Sequence, residues 1–134
     1  MVSSVSLEGY ASGTARGGVP SARIAIYKAC WGKVCSDCDI LAAFDAAIAD
    51  GVDVLSVSIG LTQPTLFNYF QFSINIGSFH AMQRGVFTSN AAGNSGPVPV
   101  TMSVYAPWLL SVAASTFGRK FATKVKLGNG VIYE

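Results

Sequence analysis

Between Asp53 and Arg119 the only charged residue is Arg84, and this constrains the fold more than any motif does. A stretch so poor in solvated groups must lie largely inside something. Only 12% of the 134 residues are charged while 51% are hydrophobic, against roughly 25% charged in an ordinary soluble domain. The length suffices for one domain with a real core. The pattern is that of an interior slice of a larger domain, whose apolar surface is partly meant for chain not present here.

Composition also removes several classes of function. A net charge of +2 with no basic run and no interleaved aromatics gives nucleic acid nothing to bind. No membrane span is expected either, because Pro64, Pro97, Pro99 and Pro107 and many Ser, Thr, Asn and Gln interrupt the uncharged stretches. Met1 leads into a Ser-rich segment with neither a basic start nor an apolar centre, so no signal peptide is expected. Read literally that means cytoplasm; if Met1 is an internal start, it carries no information on compartment.

Taken in order, Met1 to Gly18 reads as a glycine-rich loop with a frayed helical start, and Arg23 to Ala29 as a buried strand. Trp31 to Ser36 is a connection. Asp37 to Asp50 is the clearest helix, with Ile40, Leu41, Phe44, Ala47 and Ile48 on one face, Ser36 or Asp37 as N-cap and Gly51 as its stop. Val52 to Ser58 suits a strand covered on both faces. Leu61 to Asn68 reads as loop. A second helix over about Phe70 to Arg84 sets Ile76, Phe79 and Gln83 in register and stops at Gly85. Val86 to Ala91 is a strand, Ala92 to Ser103 a loop, and Leu109 to Ala114 a short buried strand. Val125, Leu127, Gly128-Asn129-Gly130, Val131 and Ile132 spell a closing hairpin. Strands alternating with helices predict an α/β fold, a parallel sheet with right-handed crossovers and flanking helices, without internal repeat or linker.

Parallel strands end on one edge, and open α/β sheets bind ligands beyond that edge. Ser58-Ile59-Gly60 and Ala91-Ala92-Gly93 should therefore face each other there as two walls of small residues. Such walls leave a flat slot for one side chain of a ligand. Asn94 comes immediately after, a neutral amide donor of the kind that stabilises a developing oxyanion in a dry cleft. The plainer reading is a tight turn in which Asn94 takes a left-handed conformation.

Other candidates are weaker. His80, the only histidine, falls mid-helix near Ile76 and Phe79 and reads as a packing residue, not a catalytic base. Asp53 opens a strand at the edge away from the slot, which suits a turn or cap better than an acid. Cys30, Cys35 and Cys38 with His80 could be offered as a zinc site, but the spacing lacks a second paired half. A disulfide is the other use of such a cluster. Gly13 to Gly18 fits neither phosphate-binding glycine pattern, so nucleotide binding rests on fold pattern alone. No cofactor and no metal is expected.

Six segments then carry a resemblance. Gly13-Thr-Ala-Arg-Gly-Gly-Val-Pro-Ser-Ala-Arg23, Asp39-Ile-Leu-Ala-Ala43, Ala49-Asp-Gly-Val-Asp53, Ile76-Gly-Ser-Phe-His80, Thr88-Ser-Asn-Ala-Ala-Gly-Asn94 and Pro107-Trp-Leu-Leu-Ser-Val-Ala-Ala114 resemble, in order and at family spacing, the catalytic domain of subtilisin-like serine proteases. The likeness is closest to the plant, cucumisin-like branch and covers nearly the whole chain. It implies that residues 1–134 are part of such a domain, a partial subtilisin-like sheet. Asn94 would be the oxyanion donor, and Ser58, Ile59, Gly60, Ala91, Ala92 and Gly93 the walls of the primary specificity pocket. The segment near Lys33 to Cys35 resembles the strand that pairs with extended substrate. The family pairing implies a Cys30–Cys35 disulfide and a secreted parent, leaving Cys38 a small buried residue on the helix.

The family's triad residues sit in an Asp-Thr/Ser-Gly strand, a His-Gly-Thr-His segment and a Gly-Thr-Ser-Met-Ser helix start, and none of these motifs is in this chain. The resemblance therefore implies a substrate pocket and oxyanion donor without nucleophile or base, inactive alone. Its partners would be a peptide or protein substrate and the rest of the parent catalytic domain. The alternative is a non-catalytic truncated product that binds peptides or a propeptide.

Overall fold

The computed structural model describes residues 1–60, 68–116, 118 and 121–134. The loop expected from Leu61 lies, as far as residue 67, outside the described residues. At the amino end, where the sequence predicts loop, β1 (Val2–Leu7) and β2 (Tyr10–Ala15) form an antiparallel hairpin. Glu8 and Gly9 join them at φ of 48° and 87°, the left-handed pair that a two-residue connection between twisted strands requires. Its strands are mostly small residues, so no apolar alternation announces them.

Arg23 to Ala29 corrects another expectation. It joins no sheet among the described residues, and Ile24 and Ile26 are 82% and 87% exposed. The composition suits a strand, but a strand needs a neighbour for its backbone N–H and C=O groups and a cover for its side chains. Only Tyr27 and Ala29 turn toward the core. Next, β3 (Cys30–Trp31) and β4 (Val34–Cys35) pair around Gly32 and Lys33, with Cys30 opposite Cys35 and the two joined by a disulfide.

Helix α1 (Asp37–Ala49) matches the predicted span. Ser36 is its N-cap in extended conformation, and Asp37 and Asp39 in the first turn complement the helix dipole. Ile40, Phe44 and Ala47 are buried, each large side chain contributing about 1.5–3 kcal/mol of apolar burial. At its end Gly51 N–H donates to Ile48 O and Val52 N–H to Ala47 O, a Schellman turn made possible by Gly51 at φ 72°. The chain then enters β5 (Val54–Val57) directly.

A 3-10 turn (Tyr69–Gln71) and Phe72 precede α2 (Ser73–Gln83), so the second helix starts later than predicted. Its buried face is also shifted: Ile74, Gly77, Ser78 and Ala81 are inside, Ile76 and Phe79 are half-buried, and Gln83 is exposed. The same Schellman turn recurs, Gly85 N–H to Met82 O and Val86 N–H to Ala81 O, and leads into β6 (Phe87–Ala91). After a long return comes β7 (Leu110–Val112), and β8 (Val125–Lys126) pairs with β9 (Ile132–Tyr133) as the closing antiparallel hairpin.

Strands β5, β6 and β7 form one parallel sheet in that order, so the expected α/β fold with flanking helices and a terminal hairpin is the observed one. The core lies on one side of this sheet. Leu55 and Val86 meet Ile40, Phe44 and Ala47 of α1 and Ile74 and Ala81 of α2, with Phe72 and Val104. The other side is open. Val54, Phe87, Leu110 and Val112 are each about half exposed or more, at 59%, 51%, 49% and 49%. The strands expected to be covered on both faces, and β7 expected to be buried, are thus covered on one.

Candidate functional site

The two Schellman turns start β5 and β6 side by side, and their register sets how the strands end. Val54 faces Phe87, and the ladder runs through Val57 opposite Asn90. Ser58-Ile59-Gly60 and Ala91-Ala92-Gly93 leave this ladder together at its carboxyl end. β7 completes the edge, with Ala91 opposite Val112 and Ala92 N–H donating to Val112 O at 2.9 Å. The structure therefore brings the two small-residue segments singled out in the sequence onto adjacent strands at one sheet edge. Ser58 and Gly60 are exposed, and Ile59, Ala91 and Ala92 are half-buried.

Gly93 rather than Asn94 takes the left-handed conformation, at φ 109°, a region that a side chain would strain. Asn94 is exposed, and its side chain makes no hydrogen bond with another described residue. Its amide is free to donate outward. A cleft of about 240 Å³ at this end of the sheet is lined by residues that include Ser56, Ser58, Ser89, Ala91, Val112 and Ala114. Among the described residues no charged side chain lines it, so an uncharged group suits it best.

Two residues that sequence reasoning passes over meet the walls. Asn90 is 1% exposed, and its Nδ2 donates to Ile59 O at 3.3 Å and to Ala91 O at 2.7 Å. Ser103 arrives from the return after Gly93. Its N–H donates to Ala92 O at 3.1 Å, and its Oγ lies 3.5 Å from the same oxygen. That return is held at its far end by Trp108, whose Nε1 donates to Asn75 O and Ser78 Oγ of α2. The Trp108 ring packs edge-on against Tyr69 and Phe79. Nothing local in the sequence marks Ser103. The only signal for Asn90 is an amide inside a strand, where an unpaired polar group on the covered face would be costly.

The remaining candidates separate from the slot. Asp53 is exposed at the amino end of β5, where its carbonyl accepts from Phe87 N–H. It borders an open groove of about 700 Å³ with Asp45 and Arg84, at the opposite end of the strands. His80 is exposed on α2, its ring tilted against Phe79 at 6.3 Å between centroids, so whatever packing it does is at the surface. Cys38 is exposed as well, not buried on α1. Lys33 to Cys35 lie in the small exposed β3–β4 hairpin, apart from the sheet, with Lys28 Nζ 4.0 Å above the Trp31 ring. Among the described residues no three His, Cys, Asp or Glu side chains are placed to hold a metal, and no helix is long and apolar enough to cross a membrane.

Comparison with known proteins bears on this edge. The sequence pattern of the subtilase family matches residues 2–128. Over 130 residues the chain is 58% identical to subtilisin-like protease SBT4.15 of Arabidopsis thaliana, covering 97% of this chain and 17% of that protein. It is 54% identical over 129 residues to subtilisin-like protease SBT4.8 of the same plant, covering 96% of this chain and 18% of the relative. With subtilisin-like serine-protease S of Lotus japonicus the identity is 53% over 132 residues, 98% of this chain and 17% of the relative. The chain thus spans less than a fifth of the length of these relatives.

Proposed function

Because the chain belongs to the subtilase family, we propose that it is an internal part of the catalytic domain of a secreted serine endopeptidase, the part that receives the substrate side chain and steadies the oxyanion. One observation carries this reading. The walls Ser58–Gly60 and Ala91–Gly93 leave adjacent parallel strands in register, and Asn94 comes after the second wall with an amide that no other described residue engages. In this role the slot binds the residue before the scissile bond. Asn94 Nδ2 donates to the carbonyl oxygen as that oxygen turns tetrahedral and negative, an interaction made mainly in the transition state.

The nucleophile, its base and the orienting acid come from other parts of the parent, whose triad motifs are absent from this sequence. Peptide hydrolysis is therefore a property of the parent and not of these residues alone. The Cys30–Cys35 bridge supports an oxidising, extracellular compartment for that parent.

The test is Asn94→Ala in the full-length protease, with kcat and KM measured separately on a peptide substrate. The expected loss is ~10²–10³-fold in kcat with little change in KM, a range measured for subtilisin itself, a member of this family, and carried over from it. A raised KM with unchanged kcat would make Asn94 a ground-state binding or structural residue, and the oxyanion role would fail.

A further inference from the structure

Beyond the Val57–Asn90 pair the backbone ladder between β5 and β6 ends. Past that point the two walls are held at a fixed spacing by side-chain chemistry. Asn90 Nδ2 sits between one acceptor in each wall, Ile59 O and Ala91 O. This fixes the orientation of the amide, because exchanging its oxygen and nitrogen would set oxygen against two carbonyl oxygens. Asn90 Oδ1 is buried with no hydrogen-bond partner among the described residues. A buried amide that leaves one of its atoms unsatisfied is held there by what its other atom does.

Ser103 meets both walls at their ends. A Cβ placed on Gly60 would stand 2.8 Å from Ser103 Oγ, and one placed on Gly93 would stand 3.2 Å from it. One hydroxyl therefore fills the space toward which both glycines point, and it belongs to a residue only 6% exposed. The backbone N–H of Ser103, bonded to Ala92 O, fixes it to the second wall whatever its side chain does.

We infer that Asn90 and Ser103, neither of them in the walls, determine which substrate side chain the slot admits. Asn90 is a positioning residue that sets the spacing of the walls. Ser103 is the surface that the end of the side chain meets, and it presents a hydroxyl without charge. The substrate class that fits is a peptide with an uncharged residue before the cut. The inference rests on the protease reading above.

The experiment compares kcat/KM of the full-length protease for peptides that differ only in the residue before the cut, one small, one bulky and one charged. Ser103→Ala should raise the bulky-to-small ratio about 10-fold and Ser103→Val should lower it by a similar factor, the scale on which a pocket senses one or two methyl groups. Asn90→Ala should bring the ratio toward one, because walls no longer tied to each other discriminate less. Unaltered enzyme should disfavour the charged residue. A midpoint of thermal inactivation is recorded for each variant, since a loss of packing alone would lower that midpoint and leave the ratio unmoved. Active variants that all keep the unaltered ratio would overturn the inference. If Asn90→Ala does not fold, the two Ser103 variants decide it. An unaltered full-length protein that cleaves none of these peptides would overturn the protease reading, and the inference with it.

Discussion

Tyr27 shows how one contact makes this chain sensitive to pH. Its hydroxyl donates to Asp50 Oδ2 at 2.8 Å. That bond, then burial, then the charge of the Asp50 carboxylate hold the Tyr27 pKa above a tyrosine's ordinary value. Loss of the proton removes the donor and sets a phenolate beside a carboxylate. A pKa raised by folding contributes stability that is present below the unfolded value of about 10 and is lost as pH rises through the raised folded value. In a phenolate absorbance titration of the chain, the transition lost in Tyr27→Phe should therefore lie above a tyrosine's ordinary value. If the transition lost lies at the ordinary value instead, the contact does not form in solution. The same scale shows why the site is only partly legible in sequence. Each wall is contiguous, so Ser58–Gly60 and Ala91–Gly93 announce themselves as runs of small residues. Asn90 and Ile59 are 31 positions apart, and Ser103 is 11 from Ala92, so their contacts exist only once the strands and the return after Gly93 are folded.

Among the elements, the packing of α1 on α2 is the closest contact that a single residue decides. A Cβ placed on Gly77 would lie 2.5 Å from the Phe44 ring and 3.0 Å from Phe44 Cβ. Alanine usually stabilises a helix interior by about 1 kcal/mol over glycine, but here the methyl must displace a buried aromatic ring, a cost of roughly 1–3 kcal/mol. Gly77→Ala should therefore lower the thermal inactivation midpoint of the full-length protease, while Gly77→Ala with Phe44→Leu should recover part of it. An unchanged or raised midpoint in the single variant would mean that the helices lie farther apart. This contact also explains why α2 is harder to read in the sequence than α1. The buried side of α2 includes Ile74, Gly77, Ser78 and Ala81, with Gly77 against Phe44, mostly small residues and too weakly apolar to register as a stripe. The conspicuous Phe79 lies to the side, against Trp108. Helix α1 turns Ile40 and Phe44 inward, so its spacing alone gives its span. Arg23 to Ala29 errs in the opposite sense: its apolar residues suit a strand, yet pairing is decided by what lies alongside, which no local pattern encodes.

At the scale of the molecule, the charge-poor stretch and the open sheet face have one explanation. Val54, Phe87, Leu110 and Val112 present an apolar surface on the side of the sheet away from α1 and α2, and the chain spans only 17% and 18% of the two Arabidopsis relatives compared above. A sheet of this kind is covered on both faces when complete, which is why the run from Asp53 to Arg119 carries so little charge. We propose that these 134 residues hold a specificity slot and an oxyanion donor while the groups that attack the peptide bond belong to other parts of the parent protease. The most direct measurement is hydrolysis of a generic peptide substrate by the purified 134-residue chain beside the full-length protease, at equal concentration. The full-length enzyme should turn the substrate over, and the chain alone should not. Turnover by the chain alone that survives both Asn94→Ala and His80→Ala would contradict the proposal.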